Sequence, residues 1–255
     1  MSIQQMPPLI IPKIIGHRGG AKAYAPENTL ASIHTAADMG VEWVEIDVKL
    51  TKDHVPIIFH DDDLDRCTNG SGKVAETDFK EIQELDAGSW FGESFIGEKI
   101  PTLEEALEVI INRGLGLNLE IKPCAGREIE TVEIALDCLT RVWEDDTPPP
   151  LISSFSHVSL ECAMDIIPEI PRGLLIKEYN EQWKDFAKHL NVSTINIEGN
   201  IATEAEIAEY LTFGKPVLAY TINDPRRAKD LIDAGITAVF SDCPDIIMEE
   251  IESFH

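Results

Sequence analysis

Short apolar runs alternate with amphipathic segments along almost the whole chain. Eight runs of four to six residues are rich in Ile, Val and Leu, which is the length and composition of buried β-strands. We predict strands at residues 13–17, 42–47, 116–121, 151–155, 172–176, 194–197, 216–220 and 238–241.

The segments between these runs repeat their apolar residues at helical spacing. They predict helices at residues 29–39, 103–112, 128–143, 159–167, 181–190, 203–213 and 225–234. Pro101 and the two acids after Leu103 are typical of a helix start, and Gly114, Gly214 and Gly235 fall where helices should end.

Eight strand–helix alternations predict an α/β fold of the TIM (β/α)8 barrel type. The length of 255 residues suits one such barrel, so we assign residues 1–255 to a single domain. An open doubly wound sheet is the alternative. Such a sheet usually carries a GxGxxG loop after its first strand, and Gly16-His17-Arg18-Gly19-Gly20 does not match that loop.

Residues 61–100 interrupt the alternation because they contain no barrel-type strand. They hold a cluster of turn residues, a short helical pattern near residues 78–85, and the aromatic residues Trp90, Phe91 and Phe95. A disordered loop would be poor in aromatic residues. We therefore predict a small inserted subdomain at the mouth of the barrel.

The segment 44–61 has the pattern of a β-hairpin. Apolar and polar residues alternate up to Leu50, a polar turn follows at residues 51–54, and an apolar run resumes. Glu45 and Asp47 should point the same way because they lie two apart on a strand. Folding the segment about Asp53 places Asp47 opposite His60 or Asp61. A polar, solvent-facing hairpin is the plain alternative.

The chain is strongly acidic, with 46 Asp and Glu against 21 Lys and Arg and a net charge of −25. Nucleic acid and anionic membrane both favour basic surfaces, so we expect neither as a partner. The five cysteines form no CxxC pair, the N-terminal residues show no charged leader, and no run approaches a membrane span. We therefore expect free thiols, no membrane anchor and a cytoplasmic location.

In a TIM barrel the active site lies at the carboxyl ends of the strands. Glu45, Asp47 and Glu120 at these ends form an all-oxygen set that suits one divalent cation, Mg²⁺ or Ca²⁺, better than zinc. Arg18 could hold a phosphate in its planar fork or form a salt bridge with Glu27. Glu120 and Lys122 share a strand face, and a simple ion pair is the alternative reading of the two.

Several motifs resemble those of the glycerophosphodiester phosphodiesterases, cytoplasmic bacterial type. The resemblance covers the chain from Ile14 to about Pro244, and its first three motifs are specific at these spacings. The motifs are Gly16-His17-Arg18-Gly19, Pro26-Glu27-Asn28-Thr29, Glu45-Ile46-Asp47-Val48, Phe59-His60-Asp61, Leu64-Asp65-Arg66, Thr68-Asn69-Gly70, Ile100-Pro101-Thr102-Leu103-Glu104-Glu105, Leu119-Glu120-Ile121-Lys122, Ser153-Ser154-Phe155 and Tyr220-Thr221-Ile222-Asn223.

The resemblance implies a metal-dependent hydrolase of small-molecule glycerophosphodiesters. By analogy His17 and His60 are the acid–base pair. The implied metal ligands are Glu45, Asp47 and Glu120, and the implied substrate-binding residues are Arg18, Lys122, Phe155 and Tyr220. The family usually has tryptophan at the position of Tyr220, which bears on leaving-group preference. The segment 196–200 also departs from the expected pattern, and the oligomeric state stays open.

The hypothesis that follows is attack of the glycerol 2-hydroxyl on phosphorus, giving a cyclic phosphate that water then opens. One histidine would accept the proton of the hydroxyl, and the other would protonate the leaving alcohol. A lysophospholipase D-like enzyme acting on a lipid is the alternative within this class. A binding protein without catalysis and an aldolase with Lys122 as a Schiff-base lysine are alternatives from other classes.

Overall fold

The strands of the chain form one sheet that closes on itself. The computed structural model describes residues 9–143 and 147–252. Its strands are β1 (Ile14–Gly16), β2 (Trp43–Leu50), β3 (Pro56–Ile58), β4 (Gly116–Ile121), β5 (Leu151–Ser154), β6 (Arg172–Ile176), β7 (Thr194–Glu198), β8 (Val217–Tyr220) and β9 (Ala238–Ser241). Eight of them run parallel, and β1 pairs with both β2 and β9, so the barrel is closed. The predicted TIM barrel is confirmed.

Helices surround the barrel and follow the strands in turn. They are α1 (Leu30–Asp38), α2 (Phe79–Ile82), α3 (Leu103–Asn112), α4 (Glu128–Val142), α5 (His157–Ile166), α6 (Trp183–His189), α7 (Glu204–Leu211), α8 (Pro225–Asp233) and α9 (Pro244–Glu252). Thr29, Thr102 and Thr203 each cap a helix through a reciprocal capping box, which satisfies otherwise unpaired backbone N–H groups. No helix in the described ranges is long and apolar enough to cross a membrane.

Alternation along β2 separates the outside of the barrel from its inside. Val44, Ile46 and Val48 join the outer core between the sheet and the helices, whereas Trp43 belongs to an inner apolar layer near the amino ends of the strands. Glu45 and Asp47 share the parity of Trp43 and therefore point into the barrel above that layer. The inner layer consists of Ile15, Trp43, Leu151, Leu218, Ala238 and Phe240.

The hairpin predicted at residues 44–61 is present, but the predicted register is wrong. Val48 pairs with Ile58, and the backbone N–H of Phe59 donates to the carbonyl oxygen of Asp47 at 3.0 Å. Residue 59, not His60 or Asp61, therefore lies opposite Asp47. The turn is centred on Asp53, whose carboxylate accepts a hydrogen bond from the hydroxyl group of Thr51. His60 lies one residue beyond the mirror position of Asp47.

Residues 61–100 pack on the hairpin around a small apolar cluster of their own. They contain two short 3₁₀ turns and α2 but no strand of the barrel. The cluster is formed by Ile57, Phe59, Leu64, Cys67, Val74, Ile82, Ala87 and Ile100. The assignment of this segment as an insertion within one domain stays a prediction. Met1–Pro8, which carried the expectation of no leader, lie outside the described residues.

Replacing Arg172 with methionine should destabilise the barrel at the amino ends of its strands, because Arg172 is the first residue of β6. The side chain is buried, and its guanidinium donates to the carbonyl oxygens of Leu190, Pro168 and Ile170 at 2.8–3.2 Å. Methionine fills the volume but leaves these carbonyls without donors, so the free energy of unfolding should fall by about 2–4 kcal/mol. Urea denaturation measures the change.

The control for this experiment is Arg141→Met on the exposed face of α4. Surface ion pairs contribute little, so the control should stay within about 0.5 kcal/mol of the parent protein. Equal stability of the Arg172→Met variant and this control would show that the buried guanidinium does not stabilise the amino-terminal end of the barrel.

Candidate active site

The carboxyl ends of the strands surround an open cavity of about 430 Å³. Residues from all eight parallel strands of the barrel, or from the positions just after them, reach this cavity. The polar and aromatic residues that line it are His17, Arg18, Glu45, His60, Asn118, Glu120, Lys122, Ser153, Phe155, Lys177, Glu198, Tyr220, Thr221 and Phe240. Eight of the nine predicted site residues are on this wall, and Asp47 lies directly behind it.

Three carboxylates converge at one side of the cavity. Glu45 and Asp47 project from β2, and parallel pairing places Glu120 of β4 beside Asp47. All three side chains are buried, and one oxygen from each lies within 4.8 Å of the other two. The structure therefore brings the three predicted metal ligands together, and their role as ligands stays a prediction.

Burial and mutual repulsion split the pKa values of these acids. Burial, together with the charges of Asp47 and Glu120, raises the pKa of Glu45 well above its usual range. Burial and Asp47 raise the pKa of Glu120 to about 7. Burial also acts on Asp47, but the positive charges of Lys122, His60 and Arg18 hold its pKa below the ordinary value. The cluster therefore needs more positive charge before all three acids can ionise.

A divalent cation fits this cluster. The Glu45 Oε1 atom is buried and has no hydrogen-bond partner among the described residues. A buried carboxylate oxygen without a partner is costly, and a metal ion would satisfy it. The donors are all carboxylate oxygens, which suit Mg²⁺ or Ca²⁺.

Two cationic side chains lie against the acids. Lys122 Nζ is 3.1 Å from Glu120 Oε1 and 3.7 Å from Asp47 Oδ1. Arg18 Nη1 is 2.8 Å from Glu27 Oε1, and its buried Nε has no hydrogen-bond partner in the described part of the chain. The Arg18–Glu27 and Lys122–Glu120 ion pairs, which the sequence suggested as alternatives to ligand binding, are therefore both present. They fix the cations at the cavity wall, where each can still face an anion.

Each histidine is oriented by a carboxylate. His17 Nδ1 is 2.8 Å from Asp242 Oδ1, and His60 Nδ1 is 2.6 Å from Asp61 Oδ1. A hydrogen bond at Nδ1 fixes the orientation of the ring and its tautomer, and it leaves Nε2 available to accept or donate a proton. Hydrogen bonding by His17 overcomes burial and lowers the pKa of Asp242 to about 2, so this carboxylate stays ionised.

Two aromatic rings also line the cavity. The rings of Phe155 and Tyr220 meet edge to face with centroids 5.8 Å apart. The Tyr220 hydroxyl donates to the carbonyl oxygen of Ile176 at 2.9 Å, so it is directed away from free solvent. The phenol therefore behaves here as a fixed apolar wall, which reduces its chemical difference from tryptophan.

The structure also shows residues whose roles the sequence did not reveal. The Asn28 amide donates from Nδ2 to Asp47 Oδ2 at 2.8 Å and accepts the Asp47 backbone N–H at 3.2 Å. Asp242 directly follows β9 and contacts His17, and Glu198, in the segment 196–200, lines the cavity. The motif Pro26-Glu27-Asn28-Thr29 was a signal for Asn28, but sequence does not say which carboxylate an amide will meet.

A closed parallel barrel with two histidines and three acids at the carboxyl ends of its strands has the architecture of a (β/α)8-barrel enzyme. The model of the glycerophosphoryl diester phosphodiesterase family matches residues 17–246. The chain belongs to this family, and the resemblance found in its motifs is confirmed.

Similar proteins cover most of the chain. A glycerophosphodiester phosphodiesterase of Caldanaerobacter subterraneus subsp. tengcongensis is 32% identical over 236 residues, covering 92% of this chain and 96% of the relative. A phosphodiesterase structure from Oleispira antarctica, solved with the product sn-glycerol-3-phosphate, superposes with a TM-score of 0.91 at 44% identity, covering 94% of this chain and 97% of that one. A glycerophosphodiester phosphodiesterase structure from Agrobacterium tumefaciens has a TM-score of 0.75 at 28% identity, covering 93% and 99%.

The raised pKa of Glu120 predicts how the stability of the metal-free protein changes with pH. The folded state holds a proton that the unfolded state releases, so this contribution is present below the ordinary pKa of 4.5 and is lost as the pH rises toward about 7. Glu120→Gln removes the titrating group. Urea unfolding in EDTA between about pH 5 and 8 should therefore show a smaller loss of stability in the variant than in the parent.

An exposed acid on α3 provides the control, since Glu108→Gln should follow the parent curve. Adding Mg²⁺ or Ca²⁺ should reverse the trend for the parent protein, because a bound cation favours the ionised carboxylates. Parallel curves for the parent and the Glu120→Gln variant would contradict the assignment of a raised pKa to this cluster.

Proposed function

We propose that the protein hydrolyses glycerophosphodiesters, such as glycerophosphocholine or glycerophosphoethanolamine, to sn-glycerol 3-phosphate and an alcohol, with one divalent cation, Mg²⁺ or Ca²⁺. The observation that carries the proposal is the meeting of His17 and His60 with the three-acid cluster in one cavity. The Oleispira antarctica phosphodiesterase was solved with sn-glycerol-3-phosphate, which supports the same product class. A cytoplasmic location is proposed on the five free cysteines.

The proposed roles follow from charge and position. Arg18 and Lys122 bind the phosphate oxygens, since Arg18 Nε has no hydrogen-bond partner among the described residues and Lys122 lies at the cavity wall. Phe155 and Tyr220 pack against the glycerol or its leaving group. A divalent cation held by Glu45, Asp47 and Glu120 would supply positive charge at the phosphate and lower the pKa of a nearby hydroxyl or water.

The two histidines are the groups that move protons. One accepts the proton of the glycerol 2-hydroxyl as it attacks phosphorus, and the other donates a proton to the leaving alcohol. The resulting cyclic phosphate is opened by water with the roles reversed. Asp242 and Asp61 hold the rings of His17 and His60 in position through Nδ1.

The alternatives from other classes fit less well. A Schiff-base lysine must be neutral to attack a carbonyl, but Asp47 and Glu120 overcome burial and raise the pKa of Lys122. The charged form is therefore favoured. A binding protein that had lost catalysis would be expected to lack part of the proposed set, and His17, His60 and all three acids are present.

The direct test is release of sn-glycerol 3-phosphate from glycerophosphocholine and glycerophosphoethanolamine by the purified protein. We expect release that EDTA abolishes and that Mg²⁺ or Ca²⁺ restores. A parallel assay with lysophosphatidylcholine distinguishes the lipid-acting alternative. If folded protein releases nothing from either diester with any ion, the proposed function is wrong.

Removing either histidine should reduce turnover strongly. His17→Ala and His60→Ala should each lower kcat on glycerophosphocholine by about 10²–10⁴-fold, the usual contribution of a general acid or base. His189→Ala is the matched control, because this imidazole lies on the exposed face of α6 with Glu161 and should retain full turnover. Near-parental kcat in either cavity variant would exclude the two-histidine scheme.

A further inference from the structure

A second cavity, of about 470 Å³, adjoins the first. The two cavities share a wall, and the second extends from it toward the hairpin and the start of α4. The shared residues are His60, Glu120, Lys122 and Phe155, and the residues that line the second cavity alone include Lys49, Asp62, Glu128, Ser154 and Ser156. The proposed function uses the shared wall but assigns nothing to the space beyond it.

A phosphodiester needs room on both sides of phosphorus. In an in-line displacement the attacking and leaving oxygens lie on opposite sides of the phosphorus atom. His17, Arg18 and Glu45 line the first cavity and not the second, so the glycerol and its attacking hydroxyl belong to the first. The leaving oxygen then faces the shared wall, where His60 borders both cavities. An alcohol attached to that oxygen would extend into the second cavity.

The charges around the second cavity favour a cation. Lys49 is fully buried and its Nζ lies 2.6 Å from Asp62 Oδ1, while Lys122 is paired with Glu120. Both lysines that line this cavity are thus already neutralised. Glu128 accepts a hydrogen bond from the backbone N–H of Gly126 and has no ion-pair partner among the described residues.

Phe155 adds an aromatic surface to the same cavity. Its side chain is 42% exposed, which leaves part of the ring available to a ligand. The ring already attracts one ammonium group, since Lys122 Nζ lies 5.8 Å from its centroid. A carboxylate without an ion-pair partner among the described residues and an exposed aromatic ring thus line the same cavity, and this combination suits an organic ammonium group.

We propose that the second cavity receives the leaving alcohol and that Glu128 makes the enzyme prefer an alcohol that carries an ammonium group. This inference rests on the proposed function and specifies its substrates further. Choline and ethanolamine have the required chemistry, whereas glycerol is a neutral alcohol of similar size.

The test compares Glu128→Gln with the parent protein on three diesters: glycerophosphocholine, glycerophosphoethanolamine and glycerophosphoglycerol. Glutamine keeps an oxygen that accepts the Gly126 N–H but removes the charge. We expect kcat/KM to fall about tenfold more for the two ammonium diesters than for glycerophosphoglycerol, as loss of one close charge and ring-assisted contact implies. The preference should appear in KM more than in kcat.

Glu133→Gln is the matched control, since it removes the same charge from an exposed position on the same helix. It should leave the ratio of the three kcat/KM values unchanged, which excludes an effect of net charge. Asp62→Asn is less suitable because it would leave Lys49 buried without its partner.

The outcomes separate the two proposals. An equal change for all three diesters in Glu128→Gln, or no change for any, would overturn the assignment of the second cavity while leaving the hydrolase intact. Absence of sn-glycerol 3-phosphate from every diester with folded parent protein would overturn the proposed function and this inference together. A selective loss on the ammonium diesters supports both.

Discussion

Three carboxylates buried within 4.8 Å of one another are the constraint on which the polar end of this barrel depends. Left alone, their mutual repulsion and lost hydration would exclude the ionised state. The surrounding residues compensate: Lys122 contacts two of the acids, and Asn28 holds Asp47 through two hydrogen bonds. The raised pKa values of Glu45 and Glu120 show that this compensation is incomplete without a further cation.

The backbone is shaped to deliver this arrangement. Arg18 and Asn28 both have left-handed φ angles, 52° and 53°, a conformation that non-glycine residues adopt at a cost and that concentrates at functional sites. It allows the backbone N–H of Arg18 to donate to Glu45 Oε2 at 2.8 Å. Gly16 packs directly against the backbone of Gly20, so that a Cβ atom at position 16 would lie 2.3 Å from Gly20 Cα. The loop after β1 therefore adopts a strained, tight conformation that places its backbone N–H groups against the buried acids.

Periodicity was enough to predict the barrel because buried parallel strands and amphipathic helices differ in their apolar spacing. It was also enough to place Glu45 and Asp47 on one strand face, since strand parity is local. The hairpin register and the partner of Asn28 were not predictable in this way. The register depends on how the two strands of the hairpin align. The partner of Asn28 depends on a tertiary contact between residues 19 positions apart in the sequence. Asp242 is a stronger case, because its contact with His17 spans 225 positions.

The net charge of −25 makes binding of a phosphate anion a question of local field. Arg18, Lys122 and Lys177 line the first cavity together with Glu45, Glu120 and Glu198, so a divalent cation at the acids would be needed to make the local field positive where a phosphate binds. In the second cavity Lys49 and Lys122 are each paired with an acid, whereas Glu128 has no ion-pair partner among the described residues, so the lining there carries a net negative charge. A zwitterionic diester would meet a field aligned with its own dipole. Its phosphate would lie at the cations, and its ammonium group at the carboxylate, so that electrostatics would orient the substrate as well as bind it.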